Sequence, residues 1–115
     1  MLFLPVPTDI GFADAEIIEY SRSSHSLVVC VKAWNEEHLL VHFEGPAAIY
    51  DRGIWSVSDL REVKAETPLL QEALAHEYDE IPKDHGLRQF QFLDVDGEPT
   101  LEIVARGVKI DRRAV

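Results

Sequence analysis

Three stretches in the first half of the chain read as strands from their pattern of apolar and polar residues. AEIIEYSR (residues 15–22) is rich in isoleucine and tyrosine, LVVCVKAW (27–34) is the strongest strand signal in the chain, and HLLVHFEG (38–45) alternates with the period of a half-buried strand. With Asn35-Glu36-Glu37 as a connection, Ala33 faces Leu39, Val31 faces Val41 and Val29 faces Phe43. A turn between Ser23 and Ser24 sets Tyr20 against Leu27 and Ile18 against Val29, extending one apolar face over three antiparallel strands. The other face carries Ile17, Val28, Cys30 and Leu40 beside Lys32, His42 and Glu44, too apolar for a face open to water. A helix, the proline-bearing N-terminal arm or a second subunit is therefore expected to cover it.

The pattern changes after Gly45-Pro46, a turn signal followed by a short fourth strand around Ala47 to Tyr50. Ser58-Asp59-Leu60 reads as the start of a helical turn. Thr67-Pro68 is a clearer start, with threonine as N-cap and proline at N1, where its missing N–H costs nothing. From there Leu70, Ala73, Leu74 and Tyr78 keep helical spacing as far as Ile81-Pro82.

FLDVDGEPTLEIVA (92–105) offers two readings, a calcium loop or a hairpin. Counted from Asp94, Gly97 falls fourth and Glu102 ninth, whereas an EF-hand loop needs glycine sixth and a bidentate glutamate twelfth. A two-residue type I′ turn at Asp96-Gly97 fits better, because both central residues must adopt positive φ. It pairs Val95 with Glu98 next to the turn, sets Phe92 against Leu101 and Phe90 against Ile103 so that the large apolar side chains share one face, and places Gln91 with Glu102 and Gln89 with Val104 on the other. Val108-Lys109-Ile110 adds a last edge strand. The fold class this predicts is α+β: a single domain over residues 1–115, an antiparallel sheet of about five to six strands with one main helix at roughly residues 68–78.

Charge narrows the functional classes. The net charge is −10, and apart from Lys109, Arg112 and Arg113 the basic residues are scattered. Nucleic acid, whose binding rests on clustered Lys and Arg, is not an expected partner; a basic protein is. The run MLFLPVPTDIGF lacks a basic region and is broken by Pro5 and Pro7, so it reads as mature protein, and no apolar run approaches the roughly 18 residues of a membrane span. A cytoplasmic protein without cofactor is expected.

One cluster could carry chemistry. Cys30 falls opposite His42 in the register above, with Glu44 two residues on; imidazole activates a thiolate and a carboxylate orients imidazole. The bland alternative for Cys30 is a small buried hydrophobe. His42 and Glu44, with Cys30, are also the candidate metal ligands, whereas His38 lies roughly 13 Å from His42 along a strand. HEYDE (76–80) has Glu80 where a zincin helix needs its second histidine, which removes that reading. Trp34, Tyr50 and Trp55 are candidates for partner binding, with core packing as the alternative use of their area.

FADAEIIEYSR, LVVCVKAW and HLLVHFEG together resemble the opening of small uncharacterised bacterial α+β proteins, some similar to immunity proteins that neutralise secreted toxins. That resemblance implies a cytoplasmic binding protein without catalysis. The expected function is thus a non-enzymatic protein-binding module, as monomer or homodimer; the alternative is a small-ligand or metal-dependent enzyme built on Cys30, His42 and Glu44.

Overall fold

In a computed structural model that describes residues 3–5 and 11–113, the chain forms two five-stranded antiparallel sheets and one short helix. The strands are β1 (Phe3–Pro5), β2 (Ala15–Arg22), β3 (Ser26–Lys32), β4 (His38–Glu44), β5 (Ala48–Asp51), β6 (Ser56–Val57), β7 (Asp59–Val63), β8 (Arg88–Leu93), β9 (Pro99–Ala105) and β10 (Gly107–Arg113); α1 spans Pro68–Glu77. One sheet runs β1-β7-β8-β9-β5, the other β10-β4-β3-β2-β6. The fold is therefore mainly β, and the α+β expectation of one sheet on one main helix is overturned. The N-terminal and C-terminal hairpins each have an apolar face, and these faces bury one another.

Phe43 of β4 meets Phe90 and Phe92 of β8 across the interface, with ring centroids 5.4 and 6.1 Å apart, and Phe12 closes on Phe92 edge-on at 6.2 Å. Around them Leu27, Val29, Val31, Leu39, Val41, Leu60 and Ile103 are fully buried. Each side chain of this size contributes about 1.5–3 kcal/mol on leaving water, so the sheet-to-sheet contact dominates the fold. Single residues carry the chain from one sheet to the other: Ser58 between β6 and β7, and Arg106 between β9 and β10. Ser58, read from sequence as opening a helix, is instead followed by β7, because Leu60 is wanted in the core.

Two hairpins use one turn design. Ala33 N–H donates to Glu37 O (2.8 Å) and Glu36 N–H to Ala33 O (2.9 Å); Asp94 N–H donates to Glu98 O (2.9 Å) and Gly97 N–H to Asp94 O (3.0 Å). Each is a three-residue loop whose last residue is left-handed, Glu36 at φ 68° and Gly97 at φ 79°. Asp96 does not share the positive φ, so the two-residue type I′ turn is not formed. The inner pairing of that hairpin is nonetheless as expected, Phe92 with Leu101, Phe90 with Ile103, Gln91 with Glu102 and Gln89 with Val104. A bulge between Phe92 and Leu93 absorbs the difference, and there the buried Thr100 hydroxyl donates to Phe92 O at 3.2 Å.

The β3–β4 hairpin and the β2–β3 hairpin are each shifted by two residues from the expected register. Val31 pairs with Leu39 and Val29 with Val41, while Arg22 pairs with Leu27 and Tyr20 with Val29. A bulge after Ile17 also reverses two neighbours: Ile17 is buried and Ile18 exposed.

The helix lies outside the sandwich, on the sheet that contains β5 and β9. Leu70, Ala73 and Leu74 bury against Leu87 and Val104, flanked by Ala47, Ala48, Leu69 and Tyr78. Thr67 caps it as expected, its hydroxyl accepting from Leu70 N–H at 3.2 Å with Pro68 at the first position. At the far end the Arg106 guanidinium donates to Tyr78 Oη (3.0 Å) and to His85 O (2.6 Å), while its stem packs over Gly45. The expected cover over the sheet that contains β3 and β4 is thus not supplied by α1. Of the N-terminal arm, residues 3–5 pair with β7, and residues 1–2 and 6–10 lie outside the described residues.

Candidate functional site

The outer face of β5, β9, β8 and β7 carries one transverse row of residues, Tyr50, Glu102, Gln91 and Arg61, with Gln89 in the next row. On an uncovered sheet these would be solvated. Here the start of α1 roofs them, and Gln89, Gln91 and Glu102 are buried. Burial of such groups is tolerated only when they are hydrogen-bonded, and the network is complete. Glu102 Oε1 accepts from Gln89 Nε2 (3.0 Å) and Gln91 Nε2 (2.6 Å), and Oε2 accepts from Arg52 Nη2 (3.1 Å). Gln91 Oε1 accepts in turn from Arg61 Nε at 2.9 Å, and Gln89 Oε1 from the Thr67 hydroxyl. The cap of the helix is in this way part of the network it covers.

Above Glu102 is a concavity of about 460 Å³ walled by Tyr50, Arg52, Pro68, Leu69, Glu72 and Pro99. The volume suits a small group, and the lining combines apolar walls with a few convergent polar atoms, the usual composition of a binding pocket. The Arg52 guanidinium lies 4.8 Å from the centre of the Tyr50 ring, a cation–π contact, while its other side reaches Glu102.

Tyr50 begins a run of seven consecutive exposed residues, Tyr50 to Ser56, from the end of edge strand β5 to the start of edge strand β6. It displays Tyr50 (51 % exposed), Ile54 (44 %) and Trp55 (41 %). The backbone beneath is anchored. Arg52 N–H donates to Thr100 O (3.0 Å), Ile17 N–H donates to Trp55 O (2.7 Å), and Asp51 accepts from Gly53 N–H (2.8 Å) and from the Tyr20 hydroxyl (2.9 Å). Large side chains held outward on a fixed backbone lose little freedom on binding, which distinguishes this run from a loose loop.

Tyr50 and Trp55 share this segment, whereas Trp34 (65 % exposed) sits in the β3–β4 turn. Cys30 is buried with Leu40 opposite, not His42. His42 faces Val28 on one side and Lys109 on the other, and its Nε2 lies 3.3 Å from Asp111. Glu44 is exposed at the strand end opposite Ser26 and Gly107. Among the described residues no three His, Cys, Asp or Glu side chains are gathered as a metal site requires. Nor is any described helix long and apolar enough to cross a membrane.

From the sequence Gln91 pairs with Glu102 on the face opposite Phe90 and Phe92, as the structure has it, but no element was placed over that face. No sequence signal marks Gln89, Gln91 and Glu102 as buried, since glutamine and glutamate are ordinary residues of an exposed strand face. Compared with known proteins, the chain matches no family model, no curated protein and no solved structure.

Proposed function

We propose that this chain is a non-enzymatic protein-binding module of the immunity-protein kind, acting in the cytoplasm on a basic partner, with the segment Tyr50 to Ser56 as its contact. The observation that carries the reading is that run of seven exposed residues, which displays tyrosine, isoleucine and tryptophan on a hydrogen-bonded backbone. Aromatic anchors of this sort supply most of the binding energy at protein interfaces. The net charge of −10 supports a partner of opposite sign, since complementary charge steers encounter and excludes like-charged competitors. Ile18, exposed through the β2 bulge and adjacent in sequence to the residue that bonds Trp55 O, enlarges the apolar surface.

A photo-crosslinking residue placed at position 55, and at position 95 as control, tests this in the organism that encodes the chain. The expected result is one adduct at 55, absent at 95, with a basic protein. With that partner purified, Trp55→Ala should weaken binding about tenfold or more, the range of an interface anchor. No adduct at 55, or an affinity indifferent to Trp55, overturns the proposal.

A further inference from the structure

The pocket beside the exposed segment has a ligand chemistry of its own. Its floor is a carboxylate already organised to receive a cation: Glu102 Oε1 is held by the two glutamine amides, which leaves Oε2 for an incoming donor. That place is taken by Arg52, whose side chain is 45 % exposed while Glu102 is 11 % exposed. The two glutamines are locked from behind by Thr67 and Arg61; Arg52 alone among the donors to Glu102 stands half in solvent.

We infer that the pocket is a receptor for a single arginine side chain of the basic partner, and that Arg52 is its intramolecular stand-in, displaced when the partner's guanidinium arrives. The inference rests on the proposed protein-binding role and names what the partner must present. Arg52 demonstrates the fit: its guanidinium lies over the Tyr50 ring, 4.8 Å from the centre, while one nitrogen donates to Glu102, and a planar multi-donor cation suits that pairing of ring and carboxylate. Pro68, Leu69 and Pro99 offer apolar walls for the methylene stem. Glu72 adds a second carboxylate at the rim, so the lining holds two acids against one base and favours a cation over an anion. Displacement costs no more than the roughly tenfold in affinity that removing Arg52 should recover, because a half-exposed Arg52 regains hydration when it swings out.

The test follows the side-chain amide signals of Gln89 and Gln91 by NMR while N-acetyl-arginine amide is added to the full chain. N-acetyl-citrulline amide, its neutral isostere, and N-acetyl-glutamate serve as comparisons. Saturable shifts with arginine alone are expected, and Arg52→Ala should tighten binding about tenfold by removing the competitor. Tyr50→Leu in the Arg52→Ala background should reverse that gain. Absence of shifts in both wild type and Arg52→Ala overturns the inference, as does citrulline or glutamate binding as well as arginine. If arginine fails while position 55 still captures a basic protein, the pocket is not the recognition point but the contact surface stands; if both fail, both readings fall.

Discussion

Glu36 occupies in the β3–β4 turn the left-handed position that Gly97 occupies in the β8–β9 turn, within the same pair of closing hydrogen bonds. A residue with a Cβ pays about 1–2 kcal/mol for that conformation, and glycine does not. The Lys32–Glu36 ion pair, 3.8 Å long and largely exposed, offsets little of it. Glu36→Gly should raise stability by about 0.5–1 kcal/mol, net of the extra freedom glycine gives the unfolded chain. Gly97→Ala should lower it by about 1 kcal/mol, through backbone strain alone since nothing lies within 4 Å of the added methyl. Urea midpoints moving in opposite directions would confirm the shared design; a fall for Glu36→Gly would refute it.

Thr67 joins the helix to the sheet, accepting from Leu70 N–H and donating to Gln89 Oε1. Thr67→Val keeps the shape and loses both bonds, leaving the buried Gln89 carbonyl without its donor. A loss of about 2–3 kcal/mol is expected, with Thr67→Ser within about 1 kcal/mol of wild type. Equal losses for the two variants would show that the methyl group matters as much as the hydroxyl, and would refute a role resting on the two hydrogen bonds.

Glu62 is buried and held by Arg88 at 2.5 Å and Lys64 at 2.9 Å. Arg88, opposed by burial and assisted by Lys64, keeps its carboxyl below the usual 4.5. A depressed carboxylate stabilises the fold above its unfolded value, and that contribution is lost as pH falls through the folded value. Glu62→Gln should therefore be less stable than wild type near neutrality, with the gap closing as the pH drops below 4.5. Denaturation curves for the pair across that window decide it; a gap independent of pH rejects the assignment.

The Tyr20 hydroxyl donates to Asp51 across the two sheets, and this bond, then burial and the carboxylate charge, holds the phenol above 10.0. Folding here favours the protonated form, so the contribution is complete below 10.0 and is lost as pH rises through the elevated value. Subtracting the ultraviolet titration of Tyr20→Phe from that of wild type should isolate a phenol with its midpoint above 10.0. A midpoint at or below it would mean the bond is not kept in solution.

The sequence was most legible where local chemistry and alternation agreed. Thr67-Pro68 marks the helix start, and Phe90 and Phe92 pair with Ile103 and Leu101 as alternation requires. The slip in the β3–β4 hairpin escaped because a shift of two residues preserves which side chains face the core. The choice rested on the turn, and Glu36 carries no mark of a left-handed residue. That slip separated Cys30 from direct opposition to His42 and removed the premise of the nucleophilic cluster. The bulge after Ile17 was hidden for a related reason, since Ile17 and Ile18 are interchangeable by hydrophobicity and only the strand geometry tells them apart. The pocket was illegible because its roof and floor lie on elements far apart in the chain; Gln91 and Glu102 could be paired, but not placed beneath Thr67 and beside Arg52.

Helix α1 is fastened at both ends to different strands, through Thr67 to Gln89 on β8 and through Tyr78 to Arg106 at the end of β9. It has no end from which to peel. Its interior amides should exchange with deuterium only when the sheet beneath them opens, at rates matching those of β8 and β9 rather than those of a frayed surface helix. The roof of the pocket then has the lifetime of the whole fold, so side chains such as Arg52, not the backbone, are left to respond to whatever enters.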